Sequence, residues 1–197
     1  LICGLLVATA STLDGAPSKE KIAKIKAAYL LNFLKFSTWP EDAFEGKESP
    51  IIVGVLGDDP FGTVLEQTFR DRSVHDRHLV IQRHDCPAPK DFIRDEQYRQ
   101  AVERTVSKLQ QCHMLFVSDL DSRDRRRVFG KIDDKHILAV GNERECAKRG
   151  TQLALDQEND KIVFYANVEA IDRINVKISS KLLRLANIVE SDEDQDR

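Results

Sequence analysis

Apolar positions along this chain follow one rhythm up to about residue 150 and a second one after it. From Ser18 to about Phe36, Ile22, Ile25, Tyr29, Phe33 and Phe36 fall three or four positions apart, the spacing that lays an apolar stripe along a helix. Ser18 is placed to cap it and Pro40 ends it. IIVGVL at residues 51–56 is a near-continuous apolar run, the mark of a strand covered on both faces. A helix follows, with Asp59 at its N-cap, Pro60 at its first position, and Phe61, Val64, Leu65 and Phe69 on its inner side. Residues 79–83 read as a second strand, 95–110 as a polar surface helix, 114–117 as a third strand, 122–132 as a helix and 137–140 as a fourth strand. The rhythm then changes to two short runs, 152–155 and 161–165, joined by the polar turn 157–160 of a hairpin. A short helix at 168–173 and a strong one at 179–189, capped by Ser179 or Ser180 and apolar at Leu182, Leu183, Leu185, Ala186, Ile188 and Val189, complete the pattern.

Alternating strands and helices predict an α/β fold: a single domain with a largely parallel sheet, helices on both faces, and an antiparallel edge hairpin. KAAYLLNFLKFSTWP, residues 26–40, is chiefly core in that architecture, with Phe33, Phe36 and Trp39 as its packing residues. The alternative is an edge that faces a partner. At 197 residues and 41% hydrophobic the chain can bury one good core. A formal net charge of −3 supplies no overall basic field, which argues against nucleic acid as a partner.

The first residues change where the protein is expected to act. LICGLLVATA is apolar and ends on Ala8-Thr9-Ala10, the small-x-small pattern cut by signal peptidase. It is too short for a transmembrane span, which needs about 20 apolar residues; a buried N-terminal strand or a tag remnant is the other reading. Residues 1–10 are thus expected to be a signal-peptide remnant, 11–20 a linker, 21–189 the folded domain, and 190–197 a disordered acidic tail. The expected compartment is the periplasm.

Export places Cys86, Cys112 and Cys146 in an oxidising compartment, where two of the three are expected to pair. A Cys86–Cys112 bridge would close a loop of about 26 residues and contribute about 3 kcal/mol. Cys146 is then free or intermolecular, and three reduced cysteines is the alternative. The absence of CxxC or a Cys/His quartet argues against structural zinc.

Catalytic signals are thin. GDDPFG lies between a strand and a helix like a phosphate loop, but Asp58 and Asp59 oppose a phosphate and no Lys-Ser/Thr pair follows, so it reads as a capped turn. There is no GxSxG or HExxH, and Cys146 has no evident base nearby. His75, His78 and His84, with Asp76, Asp85 or Cys86, form a conceivable copper or zinc set, against the plainer reading of solvated loop residues. No catalytic residue, metal or cofactor is therefore assigned. The one concentration of positive charge beside apolar residues is Arg173, Lys177, Lys181 and Arg184, interleaved with Ile174, Val176 and Ile178. It suits an acidic protein partner or a nucleotide-like anion, the alternative being ordinary solvated charges around a core strand and helix.

AAYLLNFLKFSTWP, PIIVGVLGDDPFG, CHMLFVS and IVFYANVEAIDRINVKISSKLLRLA, in that order and spacing, resemble the YfiR-like family of small exported proteins of Gram-negative bacteria, from about Lys21 to Val189. The resemblance implies a non-enzymatic periplasmic repressor. Such a protein binds the periplasmic sensor region of an inner-membrane diguanylate cyclase and holds it inactive, lowering cyclic di-GMP and biofilm formation. It also implies titration by an outer-membrane lipoprotein and a homodimer with two disulfides. Cys86 and Cys112 look like the first bridge; Cys146 resembles half of the second, for which no further cysteine follows. A periplasmic binding module for a small anionic or aromatic ligand, near Arg173, Lys177 and Lys181, is the alternative function.

Overall fold

The computed structural model describes residues 17–87, 94–118, 131–132 and 136–192. The expected signal remnant and most of the helix expected at 122–132 lie outside them. Helix α1, Lys19–Lys35, starts where Ser18 Oγ accepts the Lys21 N–H at 3.2 Å. It is followed by strands β1 (Ser37–Thr38) and β2 (Ile51–Leu56), helix α2 (Val64–Phe69), strands β3 (Ser73–Val74) and β4 (Arg77–His84), helix α3 (Asp95–Leu109) and strands β5 (Met114–Val117) and β6 (Leu138–Gly141). The rest comprises α4 (Arg144–Lys148), β7 (Leu153–Glu158), β8 (Lys161–Asn167), α5 (Val168–Asp172), β9 (Lys177–Ile178), α6 (Ser180–Leu183) and β10 (Asn187–Val189).

Eight strands form one sheet in the order β10-β8-β7-β6-β5-β2-β4-β3. The run β4-β2-β5-β6-β7 is parallel throughout. Counted along the chain, those five strands stand in the order 2-1-3-4-5, a doubly wound arrangement whose crevice lies at the carboxyl ends of the first and third strands, here β2 and β5. The expected hairpin is β7 and β8, turning through Asn159 and Asp160, both at positive φ (46° and 63°), the conformation of a tight hairpin turn. It is one strand in from the edge, because β10 adds parallel to β8.

Alternation along the strands divides the core between two faces. Ile51, Val53, Val55, Met114, Phe116, Leu138, Val140, Leu153 and Phe164 point to the face covered by α1, α2 and α5. Leu115 and Val117 point to the other face and pack against Val102, Val106 and Leu109 of α3, while Ala154 and Tyr165 meet Cys146 and Ala147 of α4. Leu30, Phe33 and Leu34 of α1 are fully buried, and each such side chain contributes about 1.5–3 kcal/mol. Gly141 is required for the closeness of α4: a Cβ there would lie 2.0 Å from Cys146 Cβ.

The C-terminal segment departs from expectation. In place of one helix over 179–189 there is a single turn, α6, followed by β10. Leu182 is buried and Leu183 and Ala186 pack on the core, but Asn187, Ile188 and Val189 align with Tyr165, Ala166 and Asn167. The open edge of β8 satisfies these backbone groups as well as a helix would, and tertiary pairing overrides helical spacing. Residues 190–192, expected to be disordered, are tied down: the Asp192 N–H donates to Lys148 O at 3.0 Å and Asn167 Nδ2 to Ser191 Oγ at 3.0 Å.

Candidate functional site

The four cations expected to face a partner lie on the segment that returns from α5 to the end of α1. Strand β9 pairs antiparallel with β1, setting Ile178 opposite Ser37 and Lys177 opposite Thr38. The Ser179 N–H donates to Phe36 O at 2.8 Å, and Ser179 Oγ caps α6 by accepting the Lys181 N–H at 3.3 Å. Arg173, Lys177, Lys181 and Arg184 are all exposed. Arg173 lies 3.9 Å from Glu169 on an open surface, a pair of little energetic weight. Among the described residues Lys177, Lys181 and Arg184 have no ion-pair partner.

The apolar neighbours are not the ones expected. Ile174 and Val176 are 7% and 3% exposed and belong to the core, because the segment is extended and alternates, with Arg173, Asn175 and Lys177 outward. Two exposed apolar groups flank the segment: Leu185, 75% exposed, follows Arg184 in the chain, and Phe36, 41% exposed, is brought beside it by the bond from the Ser179 N–H to its carbonyl. Phe36 therefore does not pack inward as expected. It ends α1 as the C-cap, one residue beyond the last helical position, and its side chain is turned to solvent. Cations around a partly exposed aromatic ring can steer an acidic protein surface and give it a dry contact.

At the amino edge of the sheet the polar groups are instead enclosed. Trp39 is 6% exposed, and its Nε1–H is shared between His113 O at 3.1 Å and His136 O at 2.9 Å, spanning the starts of β5 and β6. His113 is 7% exposed: its Nδ1 accepts the Ile52 N–H at 3.1 Å, which leaves Nε2–H to donate to Ala43 O at 3.1 Å. Phe44 stacks on the His113 ring at 4.4 Å, and Arg77 lies over Phe44 at 3.7 Å while donating to Gly46 O and Ser49 O. Burial holds the His113 pKa below the ordinary histidine value, and the nearby Arg77 and His136 lower it further against the opposing effect of the Ala43 carbonyl. Phe33 is fully buried against Tyr29 and Phe164.

The carboxyl edge holds a group that sequence reasoning missed. Lys26 is 7% exposed, its Nζ donates to Asn142 Oδ1 at 2.6 Å, and Asn142 Nδ2 donates to Ser118 Oγ at 3.2 Å. This chain joins α1 to the ends of β5 and β6, beside the crevice of the doubly wound sheet. The signal was the spacing: Lys26 falls on the same helix face as Ala23, Ala27 and Leu30, where a lysine needs a polar destination. GDDPFG is a turn held by its own carboxylate, since Asp59 Oδ1 accepts the Phe61 N–H at 2.8 Å and Oδ2 accepts Arg83 Nε–H at 2.7 Å. Arg83 also pairs with Glu66 at 2.5 Å.

Among the described residues no disulfide joins Cys86, Cys112 and Cys146 to one another. Cys112 Sγ sits over Gly54, where an added Cβ would lie 2.7 Å away, whereas His84, two residues before Cys86, is level with Leu56. In the register of the sheet Met114 is level with Val53 and His84 with Leu56, so three residues of strand, about 10 Å, separate the two positions, with Cys112 before the first and Cys86 after the second; a bridge needs Cα atoms within about 7 Å. Burial pushes the Cys112 thiol up to about 12, far from its nucleophilic form. His75 Nε2 faces Ser37 O at 2.8 Å, and among the described residues no His/Cys/Asp/Glu group is arranged to hold a metal. No described helix is long and apolar enough to cross a membrane.

Comparison with known proteins bears on this geometry. A family model described as YfiR/HmsC-like matches residues 23–187. Among solved structures, a conserved domain protein from Vibrio cholerae O1 biovar El Tor str. N16961 superposes with a TM-score of 0.52 at 8% identity, over 84% of this chain. The chain spans 59% of the length of that relative, and the likeness is one of fold.

Proposed function

The chain belongs to the YfiR/HmsC-like family, periplasmic regulators in diguanylate cyclase signalling, and on that premise we propose that it is an exported, non-enzymatic inhibitor of an inner-membrane diguanylate cyclase. It binds the cyclase's periplasmic sensor region and holds the enzyme inactive, which lowers cyclic di-GMP and biofilm formation. The observation that carries the reading is the family match over residues 23–187. The exposed cations Arg173, Lys177, Lys181 and Arg184, with Leu185 next in the chain and Phe36 brought alongside by the β1–β9 pairing, support it as a contact surface for an acidic partner. A homodimer, and relief of inhibition by an outer-membrane lipoprotein, belong to the same proposal.

The test is genetic and biochemical together. Removing the gene from the producing bacterium should raise cyclic di-GMP, and the wild-type protein supplied in trans should lower it again. Arg173→Glu, Lys177→Glu, Lys181→Glu and Arg184→Glu combined should leave the melting temperature unchanged, abolish repression and lose co-purification with the cyclase's periplasmic region. Unchanged cyclic di-GMP on deletion overturns the function; full repression by the folded charge-reversed protein overturns the surface.

A further inference from the structure

The two ends of the eight-stranded sheet are finished differently. At one end β10 offers an edge of three residues, Asn187–Val189. At the other, β4 runs for eight residues, Arg77–His84. Its inner edge is fully engaged, with residues 79–84 aligned one to one with residues 51–56 of β2. Its outer edge is covered only at the start, where Ser73 pairs with His78 and Val74 with Arg77. Among the described residues, no strand covers the outer edge of residues 79–84. Leu79, Val80, Ile81 and Gln82 are half-buried there, while the residues of β5, on the far side of β2, are all buried. A long, regular, partly apolar edge free of proline offers a row of backbone donors and acceptors to another chain.

A groove of about 610 Å³ lies beside this edge, lined by Phe69, Leu79 and Ile81 and bordered by Arg70, Arg72 and His78. Two carboxylates also line it or its rim. Glu66 is taken up by Arg83, which binds it at 2.5 Å, so it adds little negative charge, and Asp71 remains. Arg70 and Arg72 are exposed and have no ion-pair partner among the described residues. The groove is therefore apolar along its floor and cationic at its lip. Cations along the edge also oppose pairing of β4 with a second copy of itself and with basic segments, and favour an acidic strand.

We propose that the outer edge of β4 and the adjoining groove form a docking site for an extended acidic segment of a protein partner, which adds to the sheet as a further strand. Its backbone would bond to the free edge. Alternate side chains would enter the groove over Leu79 and Ile81, and carboxylates would meet Arg70 and Arg72. This deepens the reading of the chain as a regulator that binds proteins, and rests on it only for the partner's identity.

The test uses the full folded protein and a fluorescein-labelled decapeptide of alternating Val and Glu, with alternating Val and Lys as control. Fluorescence anisotropy should show saturable binding of the Val-Glu peptide, weakened at least about tenfold by Arg70→Glu with Arg72→Glu, and not by Arg173→Glu with Lys177→Glu. Hydrogen exchange should show new protection confined to residues 79–84. Arg70→Ala with Arg72→Ala, a milder change at the same exposed positions, should give an intermediate loss. Absence of saturable binding at millimolar peptide, equal affinity for the Val-Lys peptide, equal binding by the charge-reversed protein, or protection elsewhere would overturn the site. Repression of the cyclase is measured separately, so a failed groove leaves the regulatory function standing, and a failed function leaves the groove's peptide preference intact.

Discussion

The amino edge of the sheet and the cationic surface around β9 meet at β1, which pairs with β9 and leads directly into Trp39, and they are built on opposite terms. Trp39, His113 and Phe44 are packed together and each ring nitrogen has a backbone partner. Arg173, Lys177, Lys181 and Arg184 stand in solvent and hold nothing in place. Removing part of the first should cost stability and, only through unfolding, function. Changing the second should cost recognition and almost no stability.

The largest break in that contrast is Trp39→Ala. It empties a core site and leaves the carbonyls of His113 and His136 without the indole, and should cost about 3–5 kcal/mol in urea unfolding. Gly141→Ala comes next, because its new Cβ collides with Cys146 on α4; about 1–3 kcal/mol is expected, read from the denaturation midpoint. Acid should then separate the two regions without mutation. The folded pKa of His113 is depressed, so above about 6.5, the ordinary histidine value, its neutral form serves both states and its contribution is complete; as pH falls below that value the unfolded chain binds the proton first and stability declines. His84, depressed chiefly by desolvation, adds a decline of the same sign. His113→Gln should flatten the pH dependence of stability between pH 7 and 5 in part, leaving the His84 share, and a curve as steep as wild type would remove His113 from the account.

A smaller effect is expected at Arg83. Its partners are partly exposed, so Arg83→Ala should cost about 0.5–1 kcal/mol. Glu66 is held below the ordinary carboxylate range chiefly by its hydrogen bond from Arg83, and that contribution is lost as pH falls through the acid range below about 4.5. The fourfold charge reversal at Arg173, Lys177, Lys181 and Arg184 should move stability least, within about 0.5 kcal/mol. Non-reducing peptide mapping sharpens the picture further: the strand register predicts that peptides carrying Cys86 and Cys112 run separately, and that Cys112 resists alkylation until the protein unfolds.

Local pattern by itself determines much of this fold. Four apolar residues bounded by His113 and Ser118 mark β5 to the residue, Ser18 marks the start of α1, and the turn through Asn159 and Asp160 marks the hairpin. Each of these depends on neighbours within a few positions: alternation, capping and turn chemistry act over one to four residues. The exposure of the four cations was also legible as one of two readings, since lysine and arginine resist burial.

Interactions between distant segments settled the rest. Residues 187–189 carry helical spacing and became a strand because β8 presented an edge beside them. Lys26 stands on an otherwise apolar helix face, and only the arrival of Asn142 and Ser118 from just past the ends of β6 and β5 gives its ammonium a place to be buried. Cys86 and Cys112 are suitably spaced in the chain for a bridge, yet the parallel crossover through α3 carries the second back to the opposite end of the sheet from the first. A crossover between parallel strands returns the chain to its starting edge, so residues close in number are set far apart. Distance in the fold is set by strand order and register, which no short stretch of sequence contains.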